Sequence, residues 1–275
     1  NKQHFFIIRD PYTRGAFYGS TGSKPVKLVE EIEKFHLYAD PEAIPEVRKK
    51  NVAEQISAIL HSSTDEKGYF ASQLAKKSRS RRLSLWLDVE EKERLLKWWL
   101  PYAKKYKIPR NALYFTSDYQ RSYPFGKMLG QALHTVQSAR DEKTGDAYPT
   151  GGLELYFDRE LRGRKGKRRL MRSPRNPIEI GEVISKPLDG ADIYLTIHPV
   201  LQTIAEEELE RGVKKSKAKS GWAVLMEPST GRVLALAQYP FFEPTRYQEY
   251  FNDPELVERT KVKAITDAHE PGSIM

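Results

Sequence analysis

The sequence predicts an α+β fold, in which helices lie against small antiparallel sheets. Three observations near the end of the chain support this prediction. Residues 193–197 form an apolar run typical of a strand, and Pro199 opens a segment with apolar residues at helical spacing. Two further apolar runs, 222–226 and 233–237, are joined by a short link with a proline and a glycine, which indicates a β-hairpin. A helix followed by two such strands is typical of an α+β domain whose helix covers an antiparallel sheet.

One strand and two helices are predicted in the first 110 residues. Residues 5–8 form a short apolar run that is typical of a strand and leads into a turn. Asp40 followed by Pro41 predicts a helix start, with Asp40 as the N-cap, and an apolar stripe at helical spacing follows from Val52 to Leu60. Asp88 is predicted to cap a second helix that begins at Val89 and reaches two adjacent tryptophans.

The middle of the chain predicts a helix, a turn and a module boundary. Residues 153–161 are amphipathic and indicate a helix, and Gly163 and Gly166 then bracket a turn. Segments 173–177 and 185–190 are rich in proline, glycine and serine, so a module boundary is predicted near Asp189.

The helix that begins at Pro199 is predicted to bury one apolar face. The residues of that face are Leu201, Ile204, Ala205 and Leu209. Glutamates 206–208 lie in its early turns and several lysines lie near its end, which matches the helix dipole at both ends.

Composition excludes several classes of protein. The 275 residues hold 46 Lys and Arg against 37 Asp and Glu, a formal net charge of +9, with no cysteine. The absence of cysteine excludes a disulfide scaffold, a Cys-based zinc site and a thiol nucleophile. The longest stretch without a charged residue, 193–205, is shorter than the roughly 20 apolar residues of a transmembrane helix.

The positive charge is concentrated in two clusters. The clusters are Lys76, Lys77, Arg79, Arg81 and Arg82, and then Arg162, Arg164, Lys165, Lys167, Arg168, Arg169 and Arg172. We interpret both as solvated surface, with binding of phosphate backbones or anionic lipid as the alternative. No aromatic residues interleave with the second cluster, and no nucleic-acid-binding motif is present, so nucleic acid is not an expected partner.

A search for catalytic chemistry leaves one residue. The six histidines lack metal-ligand spacing, no phosphate-binding loop is present, and pairs such as Glu30–Glu31 are interpreted as solvated helix faces, so neither a metal nor a cofactor is predicted. Segment 270–275 bends at a Pro-Gly pair and brings Ser273 to a predicted helix N-terminus. There, backbone N–H groups favour negative charge near the serine oxygen, and a residue three positions later would lie within reach of it. Taken alone, Ser273 is interpreted as an ordinary N-cap serine.

The sequence resembles class B penicillin-binding proteins over nearly its whole length. The transpeptidase start of that family is similar to residues 221–237, to Ile265-Thr266-Asp267 and to Glu270-Pro271-Gly272-Ser273. Its N-terminal pedestal module is similar to the Arg14-Gly15, Ala39-Asp40-Pro41, Arg121-Ser122-Tyr123-Pro124 and Gly152-Leu153-Glu154 motifs and to Gly163 and Gly166. The family usually carries Asp where this chain has His198. The sequence of residues 265–273 is more similar to the septal, cell-division type of the family than to the elongation type.

The resemblance implies two modules. Residues 1–189 would form an elongated pedestal of mixed helices and small antiparallel sheets, and residues 190–275 would form the first helix and hairpin of the transpeptidase domain. Within the pedestal, an ion pair between Arg14 and Glu154 is predicted to tie the opening strand to the helix at Leu153.

The resemblance also implies an activity. Ser273 would be the nucleophile of a D,D-transpeptidase that cross-links peptidoglycan stem peptides and is acylated by β-lactams. The family's lysine, Ser-x-Asn and Lys-Thr-Gly elements would follow Met275, so the 275 residues by themselves are expected to be catalytically silent. The protein would be anchored in the bacterial inner membrane through a preceding segment, with these residues on the periplasmic side.

Two alternatives remain open at this point. The first is a pedestal without catalysis, which binds a polytopic glycosyltransferase or divisome proteins. The second is a D,D-carboxypeptidase, which uses water as the acceptor, although carboxypeptidases generally lack the long N-terminal module.

Overall fold

The computed structural model describes residues 4–140, 146–172 and 182–268. It has the predicted α+β class, with helices and small, mostly antiparallel sheets. The predicted breaker segment 173–177 and the motif 270–275 lie outside the described residues.

The described residues contain twelve strands. They are β1 (His4–Asp10), β2 (Phe17–Ser20), β3 (Pro25–Ala39), β4 (Arg81–Leu87), β5 (Leu113–Ser122), β6 (Val136–Arg140), β7 (Ala147–Pro149), β8 (Gly166–Arg172), β9 (Glu182–Ser185), β10 (Ile193–Tyr194), β11 (Gly221–Met226) and β12 (Val233–Tyr239).

Ten α-helices and four 3₁₀ turns complete the described part of the chain. The α-helices are α1 (Glu46–Ile59), α2 (Thr64–Leu74), α3 (Val89–Lys105), α4 (Gly130–Leu133), α5 (Gly152–Tyr156), α6 (Asp158–Leu161), α7 (Pro199–Ser216), α8 (Tyr247–Phe251), α9 (Pro254–Val257) and α10 (Lys263–Thr266). The 3₁₀ turns are Pro41–Ala43, Arg110–Ala112, Pro244–Arg246 and Glu258–Thr260.

The described residues form two compact units. The first contains the described parts of 1–31 and 121–275, and the second contains 32–120. Strands β3 and β5 carry the chain from the first unit to the second and back. The module boundary predicted near Asp189 lies inside the first unit and stays a prediction.

In the first unit, β8 lies between β1 and β9 in an antiparallel sheet. Strand β2 pairs antiparallel with the first part of β3 and parallel with β10. The buried residues of this unit's main apolar cluster are Phe17, Leu28, Val29, Tyr123, Met128, Leu129, Leu133, Leu161 and Ile197.

The predicted helix and hairpin are confirmed as α7 and as the antiparallel pair β11–β12. Helix α7 packs against β12. Its predicted apolar face is partly wrong, because Ile204 is 51% exposed while the polar residues Gln202 and Glu206 are buried. The buried polar side chains bind backbone groups of neighbouring segments, which an apolar residue cannot do.

The second unit has its own core, in which α1, α2 and α3 pack around β4 and the later part of β3. The predicted cap of α3 is confirmed: Asp88 accepts from the Glu91 amide at 2.7 Å, and Glu91 accepts from the Asp88 amide at 2.8 Å. Trp99 is 1% exposed and donates its indole N–H to the Arg110 carbonyl oxygen at 2.7 Å.

Two expectations need correction. Asp40 caps the 3₁₀ turn Pro41–Ala43 instead of an α-helix, because α1 begins only at Glu46. Glu30 and Glu31 lie in strand β3 and not on a helix. Their carboxylates have specific partners, since Glu30 pairs with Lys27 at 2.8 Å and Glu31 accepts from the Arg14 amide at 2.8 Å.

Within the described residues, every helix is too short or too polar to cross a membrane.

Candidate functional site

The first unit contains a buried cluster of charges that unites residues of three predicted pedestal motifs, those at Arg14, Arg121 and Glu154. The cluster, called here the Glu154 cluster, consists of Arg14, Arg121, Glu154 and Asp158. Arg14 lies in the segment between β1 and β2, Arg121 lies near the end of β5, and Glu154 lies in the short helix α5. The fold brings together residues far apart in the sequence.

Glu154 is the centre of the cluster and is fully buried. The Nε and Nη2 atoms of Arg14 both lie 2.9 Å from Glu154 Oε2, and Nη2 also donates to the Glu154 carbonyl oxygen at 2.9 Å. Arg121 Nε donates to Glu154 Oε1 at 2.6 Å. The predicted ion pair between Arg14 and Glu154 is therefore confirmed.

Asp158 adds a second carboxylate at the edge of the cluster. Arg14 Nη1 donates to Asp158 Oδ1 at 2.6 Å. Burial lowers the pKa of Arg14, but attraction by Glu154 and Asp158 and its hydrogen bonds to them outweigh burial and raise that pKa above its usual value. Arg14 therefore stays charged, since guanidinium groups do not lose their proton in proteins.

The Glu154 cluster holds backbone segments in place. Arg14 spans two carboxylates, and Arg121 Nη1 donates weakly to the Arg14 carbonyl oxygen at 3.5 Å. Arg121 Nη2 is buried and has no hydrogen-bond partner among the described residues. A buried pair of this kind is costly when one partner is removed, because it leaves an uncompensated charge behind.

The predicted glycines lie where other segments of the chain approach the backbone closely. A Cβ atom on Gly15 would collide with the carbonyl oxygen of Ala191, and the Gly15 amide donates to the Leu161 carbonyl at 2.9 Å. Gly152 opens α5 with a φ of +53°, a conformation that favours glycine. Gly163 precedes β8, and Gly166 begins that strand.

A second buried polar group was missed by sequence reasoning. Glu206 Oε1 accepts from the Leu129 amide at 2.8 Å and from Gln202 Nε2 at 2.7 Å. Gln202 Nε2 also donates to the Leu236 carbonyl oxygen at 2.9 Å, and Gln202 Oε1 accepts from the Leu236 amide at 2.8 Å. The i,i+4 spacing of a glutamine and a glutamate on one helix was the available signal.

This second group joins α7 to the segment that follows β5. Leu129 has a φ of +55°, which is uncommon for leucine, and its amide points to Glu206. Gln131 in α4 donates to the Pro240 carbonyl at 2.9 Å, just after β12. Burial raises the pKa of Glu206, although its hydrogen bonds and Lys127 act in the opposite direction.

The predicted nucleophile Ser273 lies outside the described residues. The chain that approaches it is held by Gln238 of β12, whose amide group donates to the Lys261 carbonyl at 2.9 Å and accepts from the Lys263 amide at 2.8 Å. Among the described residues, no three His, Asp or Glu side chains are grouped so that they could hold a metal ion.

Comparison with known proteins gives the class of the chain. A family model, the penicillin-binding protein dimerisation domain, matches residues 9–195. That range holds the whole Glu154 cluster and ends close to the boundary predicted near Asp189. Since the match covers more than half of the sequence, the chain belongs to this family of class B penicillin-binding proteins.

Three curated relatives illustrate the match. Stage V sporulation protein D of Bacillus subtilis is 32% identical over 175 residues, 62% of this chain and 25% of that protein. The probable peptidoglycan D,D-transpeptidase PbpC of Pseudomonas aeruginosa is 31% identical over 159 residues, 58% and 26% of the two chains. The peptidoglycan D,D-transpeptidase FtsI of Escherichia coli is 31% identical over 173 residues, 62% and 27%. The chain spans about a quarter of the length of these relatives.

Solved structures share the fold. Penicillin-binding protein 2X from Streptococcus thermophilus matches with a TM-score of 0.68 at 21% identity, over 88% of this chain and 36% of that one. A chain from a structure described as the structural coordination of polymerization and crosslinking by a peptidoglycan synthase complex matches with a TM-score of 0.62 at 20% identity, over 92% of this chain and 44% of that one. At these identities the likeness shows the fold alone.

Proposed function

We propose that this chain is part of a peptidoglycan D,D-transpeptidase, with residues 1–189 as its pedestal and residues 190–275 as the start of its transpeptidase domain. The observation that carries the proposal is the family match over residues 9–195, which contains the Glu154 cluster. Two of the relatives described above are named as D,D-transpeptidases, which supports the same activity.

The proposed reaction is acyl transfer through Ser273. Its hydroxyl oxygen attacks the penultimate D-Ala carbonyl of a stem peptide and forms an ester as the C–N bond to the terminal D-Ala breaks. The hydroxyl proton passes through a lysine three residues after the serine to the departing amine. The amine of a second stem then attacks the ester, which forms the cross-link and frees Ser273. The backbone N–H of Ser273 would be one donor to the oxyanion.

The described residues contribute to this reaction by fixing backbone. Gln238 binds residues 261 and 263, which lead towards Ser273, to strand β12. Strand β12 is in turn held on α7 through Gln202. This chain of hydrogen bonds would set the direction from which the serine segment leaves the hairpin.

The proposal extends to the cellular setting of the protein, namely its pathway, its location and its partners. The sequence of residues 265–273 favours a role in septal wall synthesis, and relatives named FtsI are among the matches. We expect the protein to be anchored in the bacterial inner membrane with these residues in the periplasm. The resemblance and the fold shared with a peptidoglycan synthase complex favour a polymerising glycosyltransferase as a partner, with divisome proteins as further partners.

Labelling with a fluorescent penicillin tests the proposal. The full-length protein is expected to form one covalent adduct, and Ser273→Ala is expected to abolish it. Ser229→Ala, in the exposed link between β11 and β12, is the matched control and is expected to label normally. A polypeptide limited to residues 1–275 is expected to stay unlabelled, because the base that activates the serine would be residue 276.

The same experiment separates the alternative function. Full-length protein that is folded but never acylated would contradict the transpeptidase proposal and favour a pedestal that acts only by binding partners. Labelling that persists in Ser273→Ala would show that a different residue is the nucleophile.

A further inference from the structure

A surface groove of about 690 Å³ in the first unit is lined mainly by cations. Its walls come from Arg9, Tyr12, residues 162–167 and residues 185–186, with Asp146 as the single carboxylate among the described residues that line it. The basic residues of this groove, called here the basic groove, are Arg9, Arg162, Arg164, Lys165, Lys167 and Lys186.

Regular backbone pairing holds the cations in place. The antiparallel register of β1 and β8 puts Arg9 opposite Lys167, and that of β8 and β9 puts Lys167 opposite Ser185. Arg164 exchanges two backbone hydrogen bonds with Leu188, at 2.7 and 2.8 Å. Arg9 and Lys167 therefore lie on paired strands, and Arg164 lies in a segment that is hydrogen-bonded to the backbone of Leu188.

Only part of this charge is neutralised within the chain. Asp146 binds Lys165 at 2.9 Å and lies 3.9 Å from Arg162, which also pairs with Asp158. The other four cations have no acidic partner among the residues that the structure describes; they are Arg9, Arg164, Lys167 and Lys186.

The pair formed by Arg9 and Lys167 is the most informative. Like charges directly opposite each other in an antiparallel sheet are destabilising. The next residue of the same strand, Arg168, is neutralised by Asp10 at 3.0 Å. The sheet thus neutralises one cation and leaves a facing pair of like charges at the groove, where an anion would remove the repulsion.

We propose that the basic groove binds a ligand with two closely spaced phosphate groups. Two such groups carry about three to four negative charges, which matches the four cations without an acidic partner. Arginine side chains suit phosphate because their N–H groups form paired hydrogen bonds with its oxygens. The concave shape favours a discrete diphosphate group over the flat surface of a lipid bilayer.

Tyr12 adds a neutral donor to the groove. Burial, and then the nearby Asp146 carboxylate, raise the pKa of its hydroxyl to about 12, so the hydroxyl keeps its proton at neutral pH. A protonated hydroxyl donates a hydrogen bond to a phosphate oxygen without adding a repelling charge.

Calorimetric titration of the full-length protein with inorganic pyrophosphate tests this inference. The double variant Lys167→Gln/Lys186→Gln is expected to bind pyrophosphate at least about tenfold more weakly than the wild type. The reason is that a hydrogen bond from a charged donor contributes more to affinity than one between neutral groups. The control, Lys215→Gln/Lys219→Gln, removes the same charge from exposed positions at and after the end of α7 and is expected to bind as the wild type does. Higher salt is expected to weaken the binding to the wild type.

Three outcomes would overturn the inference. They are no measurable pyrophosphate binding, an equal loss of affinity in the two double variants, and binding to phosphatidylglycerol vesicles without binding to pyrophosphate. The second would assign the binding to the net charge of the whole surface, and the third would assign the groove to membrane lipid. Unchanged melting temperatures of both variants would show that an observed loss of affinity is not a loss of folding.

Discussion

Glu154 shows how one buried carboxylate organises three segments of the chain. Its two oxygens accept from two arginines, and its backbone carbonyl accepts from one of them. Each partner comes from a different part of the sequence, so the side chain joins the segment before β2, the end of β5 and α5. Because all of these groups are buried or nearly so, water cannot replace a lost partner.

We predict that Glu154→Gln destabilises the protein by about 3–5 kcal/mol, because it leaves the buried Arg121 guanidinium without a compensating charge and Arg14 with Asp158 alone. The free energy of unfolding, measured by chemical denaturation, checks this. The control Glu160→Gln removes the same charge from an exposed position in the next helix, α6. A destabilisation of about 0.5 kcal/mol or less is expected for it. Equal effects of the two substitutions would contradict the role assigned to Glu154.

At the scale of elements, α7 has an unusual N-cap. His198 caps the helix through its ring Nδ1, which accepts from the Leu201 amide at 3.4 Å. That distance is long for a hydrogen bond, and histidine is not among the preferred capping residues. An aspartate at this position would present a shorter carboxylate that also interacts favourably with the helix dipole.

We predict that His198→Asp stabilises the protein by about 0.5–1 kcal/mol, because it supplies a better cap and a favourable charge. A rise in Tm checks this. Ser216→Asp adds the same charge at the last residue of α7, where the dipole is unfavourable, and a fall in Tm is expected. If both variants moved Tm in the same direction, the effect would come from net charge and not from the helix end.

Elements with strong local signals could be predicted from the sequence. Helix α3 has a capping box at Asp88, and the link between β11 and β12 has turn residues, so both were predicted correctly. Strand β3 was missed because its many charged residues mask the alternation of a strand, and Glu30–Glu31 resembled a helix face. Its identity depends on pairing with β2 and β4, which are distant contacts that local patterns do not contain.

The candidate sites divide in the same way. The Arg14–Glu154 pair could be predicted because the resemblance supplied the motifs that contain both residues, whereas spacing alone gives no contact between residues so far apart. The buried face of α7 could not be predicted from the sequence, because apolar periodicity assigns Ile204 to the interior. Periodicity also does not indicate that Gln202 and Glu206 bind backbone groups there. The role of Ser273 stays a prediction.

At the scale of the whole molecule, α7 connects the region matched by the family model with the residues that follow it. The helix begins after residue 195, where that match ends, yet Glu206 binds the Leu129 amide, well inside the matched region. Gln131 makes a second connection by donating to the Pro240 carbonyl. Two buried polar side chains thus hold together parts of the chain that the proposed module boundary separates, and one of them can change its charge.

Glu206 should therefore make the stability of the protein depend on pH. Burial raises its pKa in the folded state above the ordinary value of 4.5, so between these two values the folded state holds the proton that the unfolded state has lost. The contribution of Glu206 to stability is therefore fully present below pH 4.5 and is lost as the pH rises through the folded-state pKa. We predict that Glu206→Gln, which has no titrating carboxyl group, gains stability relative to the wild type as the pH rises above 4.5. Urea unfolding at several pH values measures the difference, and Glu207→Gln on the exposed side of α7 corrects for net charge. A difference that stayed constant or moved in the opposite direction would contradict the role of Glu206.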